Sequence, residues 1–202
     1  MEELKGDNLL RDFFDNISNN YDDIVNKEGE YAVLEKAGRL FERHNYVTGN
    51  ILDLGCGTGL LSEYLNGKFS YTGIDFSRGM LENASSKGYE TLEGMIEDEI
   101  RNIPDKSYDF VVSFSAFYYV KDVVKMIKEM YRVARRAVIF DLCDLPSSYI
   151  SGVQENVYNH ASIELPQKEF THVVEDFKMF AWISPTLNIP IDTRMFLISM
   201  LD

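Results

Sequence analysis

Apolar residues recur along this chain in two periods, and the alternation between them predicts its elements. Leu9, Leu10, Phe13, Phe14 and Ile17 fall on one face of a helix that Asn19-Asn20-Tyr21-Asp22 interrupts. Leu34, Ala37, Leu40, Phe41 and His44 mark a second helical stripe, on which His44 reads as a packing residue. Short apolar runs then appear at 51–54, 71–75, 89–93, 108–114 and 137–141. Runs of this kind suit parallel strands covered on both faces. Helical stripes separate them: Leu60, Leu61, Tyr64 and Leu65; then Met80, Leu81 and Ala84, capped by Ser77 and closed by Gly88; then Val123, Ile127, Met130 and Ala134, capped by Asp122. Strand–helix alternation implies an α/β fold with a parallel sheet and helices on both faces. Pro166 opens one more predicted helix, with Phe170, Val173, Val174 and Phe177 facing in. Residues 178–183 and 194–201 read as two final strands, whose short link through Pro185, Asn188 and Pro190 requires an antiparallel pair. Residues 142–165 have no clean period and hold Asp144, Tyr149, Gln154, Tyr158 and His160.

Composition narrows the class. A chain of 202 residues with 45% apolar content suits one domain over 1–202. No apolar run approaches the roughly 18 residues of a membrane span, and Met1-Glu2-Glu3-Leu4-Lys5 lacks the apolar core of a signal peptide. The two cysteines, Cys56 and Cys143, make neither a disulfide framework nor a metal-ligand spacing, so the compartment reads as reducing cytoplasm and no metal is expected. A net charge of −13 argues against nucleic acid, whose binders carry a basic stripe. The one basic cluster, Arg132, Arg135 and Arg136, reads as a solvated helix end complementing the helix dipole. Monomer and homodimer are both compatible with this composition.

The stretch that carries chemistry is Ile51-Leu52-Asp53-Leu54-Gly55-Cys56-Gly57-Thr58-Gly59, a predicted strand running into three alternate glycines and then a helix. Glycines let the backbone take positive φ and come close to a ligand. The spacing is Gly-x-Gly-x-Gly, with Leu60 where a dinucleotide site has its third glycine. Asp75, at the end of the second strand and 20 residues after Gly55, is placed to accept hydrogen bonds from ribose hydroxyls. The arrangement asks for a nucleoside and does not demand a pyrophosphate.

Asp53-Leu54-Gly55-Cys56-Gly57-Thr58-Gly59 and Gly73-Ile74-Asp75-Phe76-Ser77 resemble the first two motifs of class I S-adenosylmethionine (SAM)-dependent methyltransferases, and are most similar to the small-molecule branch that includes ubiquinone/menaquinone-biosynthesis enzymes (type 11). The resemblance implies a Rossmann-like, seven-stranded, mostly parallel sheet with an antiparallel C-terminal strand. It implies SAM as cofactor and S-adenosylhomocysteine as product. It implies cofactor contacts from Gly55, Cys56, Gly57, Gly59, Asp75 and Phe76, with Asp53 ordering the turn and the amino-acid end of SAM. Residues 1–45 would form a helical lid, with Tyr21 facing the ligand, and 142–165 would cover the acceptor. Ser113, Phe114 and Ser115 would lie under the methionine end. The adenine contact has two registers. Met95–Ile96 follows from counting on Gly94, with Ile96 on the base and Glu97 or Asp98 as acceptors for adenine N6; Glu99–Ile100 follows from counting back from Pro104.

Methyl transfer from SAM is an in-line displacement, so positioning of the acceptor does most of the work. A carbon or phenol acceptor wants a base in hydrogen-bond reach. No catalytic residue stands out; His160, Tyr118 and Tyr119 are the candidates. Tyr21, Phe114, Phe117, Tyr118 and Tyr119, with Tyr149 and Tyr158, suggest an aromatic wall for a neutral or cationic small acceptor. An RNA or protein methyltransferase and a SAM-binding regulatory subunit without activity remain the alternatives.

Overall fold

The structure, a computed structural model, describes residues 3–28, 31–144, 174–178, 182–184 and 189–200. Five parallel strands form its centre: β1 (Thr48–Leu54), β2 (Lys68–Asp75), β3 (Glu90–Glu93), β4 (Tyr108–Ser113) and β5 (Ala134–Asp144). β8 (Ile189–Ser199) pairs antiparallel with β5, and β6 (Val174–Lys178) with β8, in the order β3-β2-β1-β4-β5-β8-β6. β7 (Trp182–Ser184) pairs with the start of β8, off this path. Among the described residues eight strands form, not the expected seven: β6 takes residues read as the end of a helix, and β7 lies at the end of the stretch read as a single strand over 178–183.

Side-chain alternation divides the strands between two cores, as the strand period requires. Ile51, Phe110, Val112, Ile139 and Leu197 face one side, where α3 (Tyr31–Arg43) contributes Val33, Ala37, Leu40 and Phe41. Leu52, Leu54, Val111, Val138, Phe140 and Ile198 face the other, against Met126, Ile127 and Met130 of α7 (Val123–Val133). Helices therefore cover both faces. Ser77 caps α5 (Arg78–Ser86) by accepting from Met80 N, and Asp122 caps α7 by accepting from Lys125 N.

Other expectations change. α1 (Glu3–Ile17) buries Leu10 but leaves Leu9 and Phe13 exposed, so half of its stripe faces away from the described residues. α4 (Leu61–Tyr64) is a single turn, too short to supply a helix dipole over the glycines. Val174 and Phe177, read as the inner face of a helix, lie in β6, where pairing with β8 overrides the local periodicity. Pro190, read as part of a connection, is inside β8. α7 runs into β5 without a turn at Ala134; Arg132 is in the last turn of α7, as expected, while Arg135 and Arg136 lie in β5. Arg132 donates to the carbonyls of Ile100 and Ile103 and to Asp105, Arg135 to Asp109 and Asn50, and Arg136 to the carbonyl of Thr48. His160, Tyr149, Tyr158 and the helix start at Pro166 lie outside the described residues, as does most of 142–165.

Candidate cofactor and active site

The strand order reverses between β1 and β4, and the carboxyl ends of strands at such a reversal form a crevice. Parallel register sets Leu54 beside Ile74, so the turn after β1 and Asp75 reach the crevice at one level. Gly55 N and Cys56 N both donate to the carbonyl of Ile74, at 2.8 and 3.1 Å. Gly57 N donates to Asp75 Oδ2 (3.0 Å) and Ser77 N to Asp75 Oδ1 (2.9 Å). Asp75 therefore orders the turn, a task the sequence reading assigned to Asp53. The Asp53 carboxylate accepts instead from the Tyr89 hydroxyl at 3.2 Å.

The three glycines take φ of +71°, +52° and +76°, and each has its own reason. A Cβ on Gly55 would stand 2.5 Å from Ala116 Cβ, and one on Gly59 3.0 Å from the Tyr89 ring. A Cβ on Gly57 would meet only Tyr21, at 3.8 Å, so Gly57 is where the backbone lies open to the crevice. Close approach to a ligand, expected of all three, thus rests on Gly57.

Two cavities meet there, with empty volumes of about 480 and 410 Å3, and both are lined by Tyr21, Gly55, Gly57, Phe114 and Ser115. Asp53, Cys56 and Thr58 line the first; Asp75, Phe76, Tyr118 and Tyr119 line the second. Phe14 of α1 stands edge-on to Phe76 (5.7 Å), Tyr119 (5.9 Å) and Tyr21 (6.3 Å), which makes it the hub of the aromatic wall. Tyr118 packs edge-on to Tyr119 at 4.5 Å. Phe117 does not belong to the wall: it is buried in the core beside Phe140. Ser113 is buried and donates to the carbonyl of Leu54, tying β4 to β1. Met95 and Ile96 are not among the residues lining these cavities; Ile96 packs in the core with Leu52, Leu54 and Ile74. Ile100, the other register's candidate, is in the same core.

Both acids are buried, and the groups of the described residues that shift them include no cation. Burial pushes the Asp53 carboxyl up to about 7, against the pull of the Tyr89 hydroxyl and with help from the Asp75 charge. Burial also raises Asp75, though the Ser77 and Gly57 amides oppose it. Burial lifts the Cys56 thiol well above its ordinary range, so it is an inert packing group.

The N-terminal elements are tied down by groups that sequence reasoning missed. Asp15 accepts from Ser77 Oγ (2.6 Å) and Gly79 N (2.9 Å), joining α1 to the start of α5. Asp22 of α2 (Tyr21–Glu28) accepts from Thr58 Oγ1 in the glycine turn and pairs with Lys87, which also pairs with Glu63. Asp15 and Asp22 lie in the segment likened to the family's N-terminal one, which was the available signal.

The fit to SAM can be judged from these groups. Gly57 is open, one buried acid stands in each of two adjoining cavities, and aromatic rings line the space between. The donor set suits a nucleoside carrying an amino-acid arm. Residues 52–140 match the family described as methyltransferase domain. Over that stretch the chain is similar to methyltransferase domains. Malonyl-[acyl-carrier protein] O-methyltransferase 2 of Ilyobacter polytropus is 32% identical to this chain over 116 residues, covering 52% of this chain and 44% of that protein. Demethylmenaquinone methyltransferase of Staphylococcus epidermidis is 31% identical over 136 residues, covering 60% and 54%. The chain spans about half the length of these curated relatives. The fold is shared with the magnesium protoporphyrin IX methyltransferase of Synechocystis with bound S-adenosylhomocysteine, at a TM-score of 0.64, 14% identity, and coverage of 95% of this chain and 99% of that one. Among the described residues, no helix is long and apolar enough to cross a membrane.

Proposed function

We propose that this protein transfers a methyl group from SAM to a small-molecule acceptor. The observation that carries the reading is the pair of adjoining cavities, with Asp75 in one, Asp53 in the other and Gly57 between them. Asp75 would hold the ribose hydroxyls and Asp53 the ammonium of the amino-acid end; Gly57 would let the ligand lie against the backbone. When bound, SAM supplies an electrophilic methyl on a sulfonium. The protein's own part is to orient an acceptor and to exclude water, which Phe14, Tyr21, Phe114, Tyr118 and Tyr119 are placed to do. Among the described residues Tyr21, Ser115, Tyr118 and Tyr119 bring hydroxyls to the cavity that would take the acceptor.

An aromatic wall favours a planar neutral or cationic acceptor. The relatives' names include a demethylmenaquinone and a malonyl group on a carrier protein, which supports a small acceptor or acyl group without selecting one. Pairing of Arg132, Arg135 and Arg136 with carbonyls and carboxylates speaks against a phosphate-binding face.

Titration calorimetry with S-adenosylhomocysteine tests the cofactor site. Asp75→Ala is expected to weaken binding by at least about tenfold, since hydrogen bonds to a charged group contribute on the order of 1.5–3 kcal/mol each. Unchanged affinity, or tight NAD binding by the wild type, would sink the assignment. A radiolabelled-methyl screen of small metabolites, run beside tRNA and ribosomal RNA fragments at low salt, tests the acceptor class. Label in RNA, with binding that weakens steeply with salt, would overturn the small-molecule reading.

A further inference from the structure

Asp53 sits in a motif position, is 4% exposed, and lines the cavity assigned to the amino-acid end. What holds it is Tyr89, which follows the α5 terminus at Gly88 and precedes the exposed edge strand β3. Tyr89 lies just before β3 rather than in it, and it too is 4% exposed. Its ring lies flat on Tyr71, at 4.8 Å and 20°, and packs with Cys56, Leu81 and Ala84.

The slot that admits the ring is made by two glycines. A Cβ on Gly59 would come within 3.0 Å of ring atom Cε2, and one on Gly73 within 2.9 Å of Cδ1 and 2.5 Å of Cys56 Sγ. Gly59 belongs to the glycine turn and Gly73 to β2, so turn and sheet both leave room for the phenol, and β2 for Cys56 as well. At the end of the slot the hydroxyl donates to Asp53 Oδ2. The ionisable groups that bear on Asp53 are Asp75, Cys56, Tyr71 and Tyr89, and none is a cation. A buried carboxylate in such company depends on its hydrogen-bond donor to stay ionised and aligned.

We propose that Tyr89 is a positioning residue of the cofactor site, acting through Asp53: its hydroxyl, delivered along the Gly59–Gly73 slot, holds the carboxylate that receives the ammonium group of the cofactor's amino-acid end. The inference rests on the cofactor reading above. Burial brings Asp53 to about 7, and the Tyr89 hydroxyl is the group that lowers it, so removing that hydroxyl moves the titration to higher pH. Asp53 must be ionised to attract an ammonium, so binding weakens as pH falls through this range.

The experiment is calorimetry of wild type and Tyr89→Phe with S-adenosylhomocysteine from about pH 6 to about pH 9, repeated with 5′-methylthioadenosine, the same nucleoside without an amino-acid end. Wild-type affinity for S-adenosylhomocysteine is expected to fall on acidification through about 7. Tyr89→Phe is expected to bind about tenfold more weakly near neutrality, a loss that shrinks toward high pH, with methylthioadenosine affinity unchanged. Asp53→Asn is expected to remove the pH dependence, and Tyr89→Phe added to it to cost nothing further. A loss of the same size at every pH, or for both ligands alike, would mean that Tyr89 is only structural. Additive losses in the double variant would also overturn the proposal. Absence of S-adenosylhomocysteine binding by the wild type at every pH would remove the cofactor reading, and this inference with it.

Discussion

The two ends of the sheet treat their acids in opposite ways. At the amino end, burial works against the Asp109 carboxylate, but Asn50 N donates to it at 3.0 Å and Arg135 Nε at 3.1 Å, with Arg136 nearby, and its carboxyl is held below the usual range. Arg136 also lies over the Tyr46 and Phe110 rings, at 5.0 and 4.8 Å. At the carboxyl end, Asp53 and Asp75 are buried with amide and phenol donors only, and both are raised. The difference is the cation. One end is a finished piece of structure; the other keeps negative charge whose natural complement is a ligand group.

That contrast can be broken most strongly at Asp53. Its folded value lies above the ordinary 3.8, so the protonated form is favoured in the fold; the penalty is absent below the unfolded value and complete above about 7. Asp53→Asn is expected to stabilise the ligand-free protein near pH 8 by on the order of 4 kcal/mol, a gain that fades as pH falls from about 7 toward 4. Urea unfolding across pH checks it; a variant less stable than wild type at pH about 8 would show that the acid is not strained.

Asp109 should show the reverse sign. Its folded value is lowered, so its contribution is present above the unfolded 3.8 and is lost as pH falls through the lower folded value. Asp109→Asn is expected to cost about 2 kcal/mol near neutrality, and progressively less in acid, by the same unfolding assay. Equal cost at all pH would place the effect in packing rather than charge.

The smallest effect concerns α2. The Asp22–Lys87 contact is partly exposed, and such pairs contribute less than about 1 kcal/mol. Asp22→Ala is expected to speed protease cleavage within residues 18–28 by about threefold, and S-adenosylhomocysteine to slow it in the wild type. Cleavage indifferent to both changes would mean that α2 is held by its apolar contacts alone.

Much of this was readable in advance because it is local. The strand-turn pattern at 51–59 and the acid at Asp75 depend on neighbours in sequence, as do the caps at Ser77 and Asp122. The ties of α1 and α2 were not readable: Asp15 and Ser77 are 62 residues apart, and Asp22 and Lys87 are 65 apart. Polar residues at ordinary surface positions carry no mark of a partner so distant. The aromatic run after β4 shows the same limit, since Phe117 turns into the core while Tyr118 and Tyr119 turn to the cavity.

By itself the sequence determined the α/β alternation, the five parallel strands, the glycine-rich turn and the family they resemble, because hydrophobic period and glycine placement act over a few residues. Tertiary structure decided which glycine lies open to the crevice and which make room for Tyr89, whether 174–178 is helix or strand, and which acids have no cation among the described residues beside them. Those outcomes depend on what the fold brings alongside each residue. Burial, close approach and the electrostatic cost of an unpaired charge are properties of neighbours in space.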